Sequence, residues 1–241
     1  MSQTNTSSDP ARLPRSARRA QLLVAAQEVF ASCGFHSASM EDIGTRAGVS
    51  KPVLYQHFSS KLELYLAVLD DLSADLLCTV ESALHGPTTD GKSRLTRTVH
   101  AYFEFVDRAE RPYRLLFESD LIHEPQVAQR VDRLARLVAS MVGDVIAGET
   151  GLGESESMML GVALAGMAQV TARHWINSGR PIPREAAADL VDALSWRGIR
   201  SFPAAESSEE DGPLARAQGP GPAPAAAVAV GELAADHSAS P

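Results

Sequence analysis

Lys51, Tyr55, Gln56 and His57 are spaced so that one short helix turns them outward together, and the chemistry they offer is recognition of a polyanion. A lysine neutralises phosphate, while glutamine, tyrosine and histidine hydrogen-bond to phosphate oxygens or to base edges. The run Gly48-Val49-Ser50-Lys51-Pro52-Val53-Leu54-Tyr55-Gln56-His57-Phe58 says how they are held. Gly48 accepts positive φ in a turn, Ser50 is a residue type that caps helices, and Pro52 is tolerated in a first helical turn. A helix therefore begins at Lys51, with Val53, Leu54 and Phe58 facing inward and Ser50 and Pro52 joining the contact set at its start. This is the turn and recognition helix of a helix-turn-helix.

Reactive chemistry finds no comparable pattern. The 7 histidines form no HExxH, the cysteines have no pair spacing, and Gly151-Leu152-Gly153 has no strand ahead of it to make a phosphate loop. An enzyme with a helical body is thus the weaker reading, and no enzymatic activity, metal or cofactor is expected. A purely structural dimer would leave Lys51, Tyr55, Gln56 and His57 unexplained.

The elements that position these residues follow from periodicity. Residues 1–14 are expected to be a disordered arm, since Met1 to Pro10 is nearly devoid of apolar residues. Arg12 and Arg15 at its end suit the minor groove or the phosphates; a solvated basic segment is the other reading. From Ala17, the residues Leu22, Leu23, Ala26, Val29, Phe30 and Cys33 recur at helical spacing until Gly34 stops them. Ser39 with Glu41 and Asp42 predicts a capped short helix ending at Gly48, with Ser39 and Arg46 as secondary phosphate contacts. Ser60 and Glu63 have capping-box spacing, opening a long helix from Lys61 to about His85 that joins two cores. Lys61, beside the recognition helix, is a further phosphate candidate.

From Arg15 to about Leu69 the order of helix, Gly34-Phe35, Ser39 to Ala47, Gly48-Val49-Ser50, Leu54-Tyr55-Gln56-His57-Phe58 and Lys61 resembles the DNA-binding domain of the TetR family. Within it, the run Ser50 to Leu66, the upstream Arg12-Leu13-Pro14-Arg15 and the later Tyr113-Arg114-Leu115-Leu116-Phe117-Glu118 are similar to the fatty-acid-synthesis regulators of actinobacteria. The resemblance implies an all-α fold with a helix-turn-helix domain at 15–60 and a ligand-binding and dimerisation domain at 61–203. It implies a homodimer on palindromic double-stranded operator DNA, released by a small lipophilic effector, and points the same way for Lys61.

Helices are expected at Ser93 to Arg108, Pro112 to Glu118, Glu124 to Ile146, Glu154 to Ser178 and Arg184 to Trp196. Leu76, Leu77, Leu84, Leu95, Val99, Tyr102, Phe103, Phe105, Val106, Leu115, Leu116 and Phe117 read as plain core from pattern alone. The resemblance turns part of this set into the wall of an acyl-chain tunnel, with Leu76, Leu77, Leu84, Tyr102, Phe103, Phe105, Leu116 and Phe117 as candidates. Long-chain acyl-CoA is then the expected effector, and a lipophilic drug or signal the alternative. Arg94, Arg97, Arg108, Arg111 and Arg114 are near enough in sequence to offer its phosphates a basic mouth, or to be ordinary surface charges. The small residues of Gly161 to Ala168, followed by Trp175 and paired with Ala186 to Trp196, suit either a four-helix dimer interface or tight internal packing.

The net charge of -8 does not oppose DNA binding, because it is unevenly placed. Residues 204–241, Ala-, Pro- and Gly-rich and expected to be a disordered tail, carry six acids and one arginine, whereas Ala11 to Ala20 holds four arginines and no acid. Cys33 and Cys78 each sit in an apolar helical pattern, so buried thiols in a reducing cytoplasm are expected. With no secretory pattern and no apolar run long enough for a membrane span, the protein is expected to be soluble and cytoplasmic.

Overall fold

Helix is the regular structure that this sequence supports, and no strand occurs among the described residues. The computed structural model describes residues 14–87, 90–118, 120–121 and 123–199, so the expected contact at Arg12, the arm before it and the tail at 204–241 lie outside them. The elements are α1 (Arg15–Ser37), α2 (Met40–Ala47), α3 (Lys51–His57), α4 (Lys61–Leu84), α5 (Gly91–Arg108), α6 (Glu110–Phe117), α7 (Pro125–Glu149), α8 (Glu154–Asn177) and α9 (Arg184–Ile199). No described helix is long and apolar enough to cross a membrane.

The helix ends show why the boundaries fall where they do. In α1 the chain breaks at Gly34, whose φ of 76° interrupts the helix before a last turn to Ser37. Ser39 caps α2 in a full capping box with Asp42. At α4 the expected box is shifted by one residue: the Ser60 hydroxyl accepts from the Glu63 N–H at 3.0 Å, while the Glu63 carboxylate reaches back to the N–H of Ser59 at 2.7 Å. The start of α5 lies earlier than Ser93, because the Asp90 carboxylate accepts from the Ser93 N–H at 3.0 Å and so caps a helix that takes in Gly91.

α1, α2 and α3 form a head whose centre is Leu22, Ala26, Phe30, Ile43, Ala47, Leu54 and Phe58, all buried. α4 enters it through Tyr65, whose ring meets Phe30 edge-on at 5.0 Å and Phe35 at 5.3 Å. Each such buried side chain contributes about 1.5–3 kcal/mol of apolar transfer free energy. The same tyrosine donates its hydroxyl to the Leu115 carbonyl of α6 at 3.3 Å. The two cores that α4 was expected to join are continuous, the buried apolar residues from Leu22 through α4 to Val191 making one cluster.

The longest helix contact is between α7 and α8. Gly161 makes it possible, since a Cβ there would run into the Ala139 carbonyl oxygen, and one at Gly143 would lie 3.1 Å from the Ser157 carbonyl. The cysteines depart from expectation, both being exposed. In α1 the buried stripe ends at Phe30, and the break at Gly34 leaves Cys33 at the open end of the helix. In α4 the inward positions are Leu76 and Val80, which turns Cys78 between them to the outside.

Candidate DNA interface and effector cavity

The recognition helix owes its outward face to two anchors. Leu54 and Phe58 are buried, Val53 and His57 are half-buried, and Lys51, Pro52, Tyr55 and Gln56 are exposed. Gly48 holds the turn with φ 65°, and the Val49 N–H donates to the Gly44 carbonyl at 2.9 Å. Ser50 occupies the N-cap position of α3, yet its side chain makes no capping hydrogen bond, so its hydroxyl is not engaged by the helix it begins. A large exposed aromatic such as Tyr55, 44% accessible on a polar face, is the kind of group that recognition rather than folding requires.

The flanking candidates divide. Arg15 is exposed at the first residue of α1, on the same side as Arg18 and Arg19. Burial, followed by the charges of Arg15, Arg19 and Arg18, pushes the His57 imidazole below its ordinary pKa, which ties this arginine cluster to the recognition helix. Arg19 also lies over the Phe58 ring at 4.3 Å. Arg18 and Arg19, expected only to add to the local positive field, share one helix face with Arg15 through the spacing 15, 18, 19. Ser39 accepts from the Asp42 N–H at 3.0 Å and donates to its carboxylate at 2.6 Å, so its hydroxyl serves the cap. Arg46 pairs with Glu28 across exposed surface, which raises its pKa through that hydrogen bond.

Lys61 points away from the expected role. Its ammonium donates to the carbonyls of Phe35 at 2.8 Å, His36 at 3.3 Å and Ala38 at 2.8 Å, and sits 4.4 Å from the centre of the Phe35 ring. Three donors meet three carbonyls left open by the end of α1, so Lys61 locks α4 to the head instead of facing a phosphate.

The body contains two adjoining cavities, of about 300 Å³ and about 50 Å³, that share Tyr102, Val138 and Ala165 on their walls. Leu76, Phe117, Leu134, Arg136, Val162 and Gln169 help to line the larger, and Val80, Leu84, Leu95, Val99, Val142 and Ser195 the smaller. Of the expected wall residues, Leu76, Leu84, Tyr102 and Phe117 border these spaces. Leu77 instead borders a separate surface groove of about 540 Å³ between α4 and α7, with Asp70, Arg130 and Arg133. Phe103, Phe105 and Leu116 are buried and on none of these walls. Phe103 packs on Trp175 at 6.0 Å. The contribution of α7 and α8 to the walls was missed, for their inward residues carry the same apolar pattern as any core helix.

Tyr102 is the polar group at the junction. Its buried hydroxyl has the Tyr113 hydroxyl as its hydrogen-bonding neighbour, and burial, followed by the interactions with Tyr113, pushes its pKa well above the ordinary value. The arginines expected to form a mouth are mostly engaged: Arg94 with Glu149 at 2.8 Å, Arg97 with the Ala83 carbonyl, and Arg114 with Glu110 at 3.1 Å. Arg108 is exposed, and the side chain of Arg111 lies outside the described residues.

The model of the bacterial regulatory proteins of the tetR family matches residues 22–68, which are most of the head and the start of α4. The HTH-type transcriptional activator FasR of Mycolicibacterium smegmatis is 45% identical over 196 residues, covering 81% of this chain and 89% of that protein. The chain belongs to the TetR family. Among solved structures, a TetR-like transcriptional regulator from Rhodococcus sp. RHA1 is 28% identical with a TM-score of 0.64, covering 78% of this chain and 99% of that one. The fatty acid degradation regulator FadR from Bacillus halodurans shares the fold, with a TM-score of 0.63 at 16% identity over 76% of this chain and 96% of its own. As a TetR-family member the protein is a DNA-binding transcriptional regulator, and regulators of this family act as dimers.

An unpartnered apolar face is available for that purpose on α8 and α9. Met159, Val162 and Val170 of α8 are exposed, as are Leu190 and Leu194 of α9, with Met159 at 72% and the two leucines at 66% and 64%. Gly166, on the wall of the larger cavity, has nothing within 4 Å of a Cβ placed there. The small-residue run therefore splits by face: Gly161 serves the internal crossing with α7, while Val162 and Gly166 border the larger cavity, with Val162 also exposed. Trp175, expected with the interface, is buried and donates its indole N–H to the Ile182 carbonyl at 2.8 Å.

Proposed function

We propose that this TetR-family regulator controls fatty-acid synthesis genes as a homodimer and releases palindromic operator DNA when a long-chain acyl-CoA occupies its body. The observation that carries the effector half is the pair of adjoining apolar cavities bordered by Tyr102 and Phe117. The identity to a protein named FasR supports the choice of gene class. Lys51, Tyr55, Gln56 and His57, with Ser50, Pro52 and the arginines of α1, take the operator. Each of two copies reads one half-site, joined through the outward faces of α8 and α9.

The route from cavity to DNA runs through α6. Phe117 on the cavity wall packs against Tyr113 at 4.8 Å; the same short helix receives the Tyr65 hydroxyl at Leu115 and contacts α1. A cavity of about 300 Å³ is at the small end of ligand sites, so a long chain fits best in a conformer where α4, α5 and α6 have parted. The chain shifts the population toward that conformer by its differential affinity, and operator DNA opposes it by the same factor.

The test is anisotropy of a labelled palindromic operator from a fatty-acid-synthase promoter, titrated with protein and then with acyl-CoAs of rising chain length. Release by long chains and not by short ones is the expected result. Tight specific binding that no acyl-CoA disturbs would move the effector to the class of lipophilic drugs or signals.

A further inference from the structure

We infer that Arg180, in the turn after α8, is a positioning residue of the switch: it clamps the corner between α5 and α6 to the C-terminal end of α8 and so sets how much effector is needed to move α6. The inference rests on the release mechanism above and adds a contact that effector binding has to break. Arg180 Nε donates to Asp107 Oδ1 of α5 at 3.0 Å, and its Nη2 donates to Glu110 Oε2 of α6 at 2.6 Å. The guanidinium also lies over the Trp175 ring, 5.5 Å from its centre. The other oxygen of Glu110 accepts from Arg114 at 3.1 Å, and at the far end of α6 the Asn177 amide donates to Glu118 at 2.7 Å. Both ends of α6 are thereby tied to the end of α8. One guanidinium shared between two carboxylates, inside a network, is the arrangement in which partly exposed ion pairs contribute.

The backbone of the turn bears the cost of this placement. The Arg180 N–H donates to the Trp175 carbonyl at 2.9 Å and the Gly179 N–H to the Ile176 carbonyl at 3.0 Å, a Schellman pair that accounts for Gly179 at φ 73°. That motif calls for no second left-handed residue, yet Arg180 has φ 57° and is the sole non-glycine with positive φ among the described residues. Such a conformation persists where surrounding contacts over-determine it, and here those are Asp107, Glu110 and Trp175. Trp175 is itself fixed by its bond to the Ile182 carbonyl and by Phe103. The position of the clamp gives it its effect. Phe117 on the cavity wall and the Leu115 carbonyl that receives Tyr65 both lie between the two tethers of α6. A displacement passed from cavity to head through α6 therefore works against Arg180.

The experiment compares the full-length wild type with Arg180→Gly, which accommodates the positive φ and removes the side-chain clamp, and with Arg180→Lys. The control is Arg184→Ala, an arginine paired with Glu185 on its own helix. Amide exchange of α6 is measured by mass spectrometry without ligand, and release of labelled operator is followed as palmitoyl-CoA is added. In Arg180→Gly the α6 amides should exchange about fivefold faster, and operator should be released at about one-fifth of the wild-type palmitoyl-CoA concentration, since both report loss of the same contacts. Operator affinity before palmitoyl-CoA is added should stay at the wild-type value, which a general folding defect would not leave intact. Arg180→Lys, a point charge without the planar fork, should fall between, and Arg184→Ala should match the wild type. Unchanged exchange in Arg180→Gly, or faster exchange with an unchanged release midpoint, overturns the clamp. If palmitoyl-CoA fails to release operator from the wild type, the acyl-CoA reading falls and the exchange of α6 by itself decides the clamp.

Discussion

At the scale of single residues, the two sites depend on groups whose chemistry is not used by the fold. Lys51 and Tyr55 make no contact that folding needs, so Lys51→Ala and Tyr55→Ala should each weaken operator binding by about 1–3 kcal/mol with the melting temperature unchanged. His57 in the free protein holds its proton less readily than usual because of partial burial and the arginines of α1. Phosphates docked beside it reverse that field and raise its pKa, so the complex takes up a proton. Operator affinity should therefore rise as pH falls from the bound pKa toward the depressed free one. His57→Gln should remove this component of the pH profile in anisotropy titrations. Tyr102→Phe deletes a buried hydroxyl whose neighbour is the Tyr113 hydroxyl, and should cost about 0.5–1.5 kcal/mol in denaturant unfolding while weakening uptake of effector.

Among the elements, α7 and α8 depend on close approach and α6 on its two attachments. Gly161 lies against the Ala139 carbonyl, so Gly161→Ala forces the helices apart and should cost about 1–3 kcal/mol by chemical denaturation, against the gain in helix propensity that an alanine ordinarily brings. Gly166, one turn and a residue further on, has open space beside it, which separates a packing glycine from one on the cavity wall of the same helix. Lys61 likewise acts at this scale. By meeting the carbonyls of Phe35, His36 and Ala38 it fastens α4 to the break at the end of α1, where Asp120 also approaches His36 at 3.9 Å.

For the molecule as a whole, the proposed assembly rests on the apolar face of α8 and α9. The exposed leucines at positions 190 and 194, with Met159, Val162 and Val170, are apolar surface that a monomer in water leaves uncovered at a cost. Leu190→Asp/Leu194→Asp should shift the protein from dimer to monomer in analytical ultracentrifugation. Operator affinity should fall with it, because two recognition helices on one rigid body add their contacts and two separate ones do not.

The residues alone sufficed for the helix-turn-helix and most helix bounds, because those follow from local rules. Positive φ at Gly48, proline in a first turn and apolar spacing near 3.6 act within a few residues of chain. Tertiary structure decided whatever depends on which faces meet. Lys61 looked free beside the recognition helix, but the carbonyls it satisfies are 23 to 26 residues away. Phe103, Phe105 and Leu116 carry the same pattern as Tyr102 and Phe117, and only packing sorts core from cavity wall. Trp175 turned inward while Met159 and Val162 remained outside, and the cysteines surfaced where their helices end or turn away. Hydrophobic pattern states that a side chain avoids water; the partner that shields it is a property of the assembled helices.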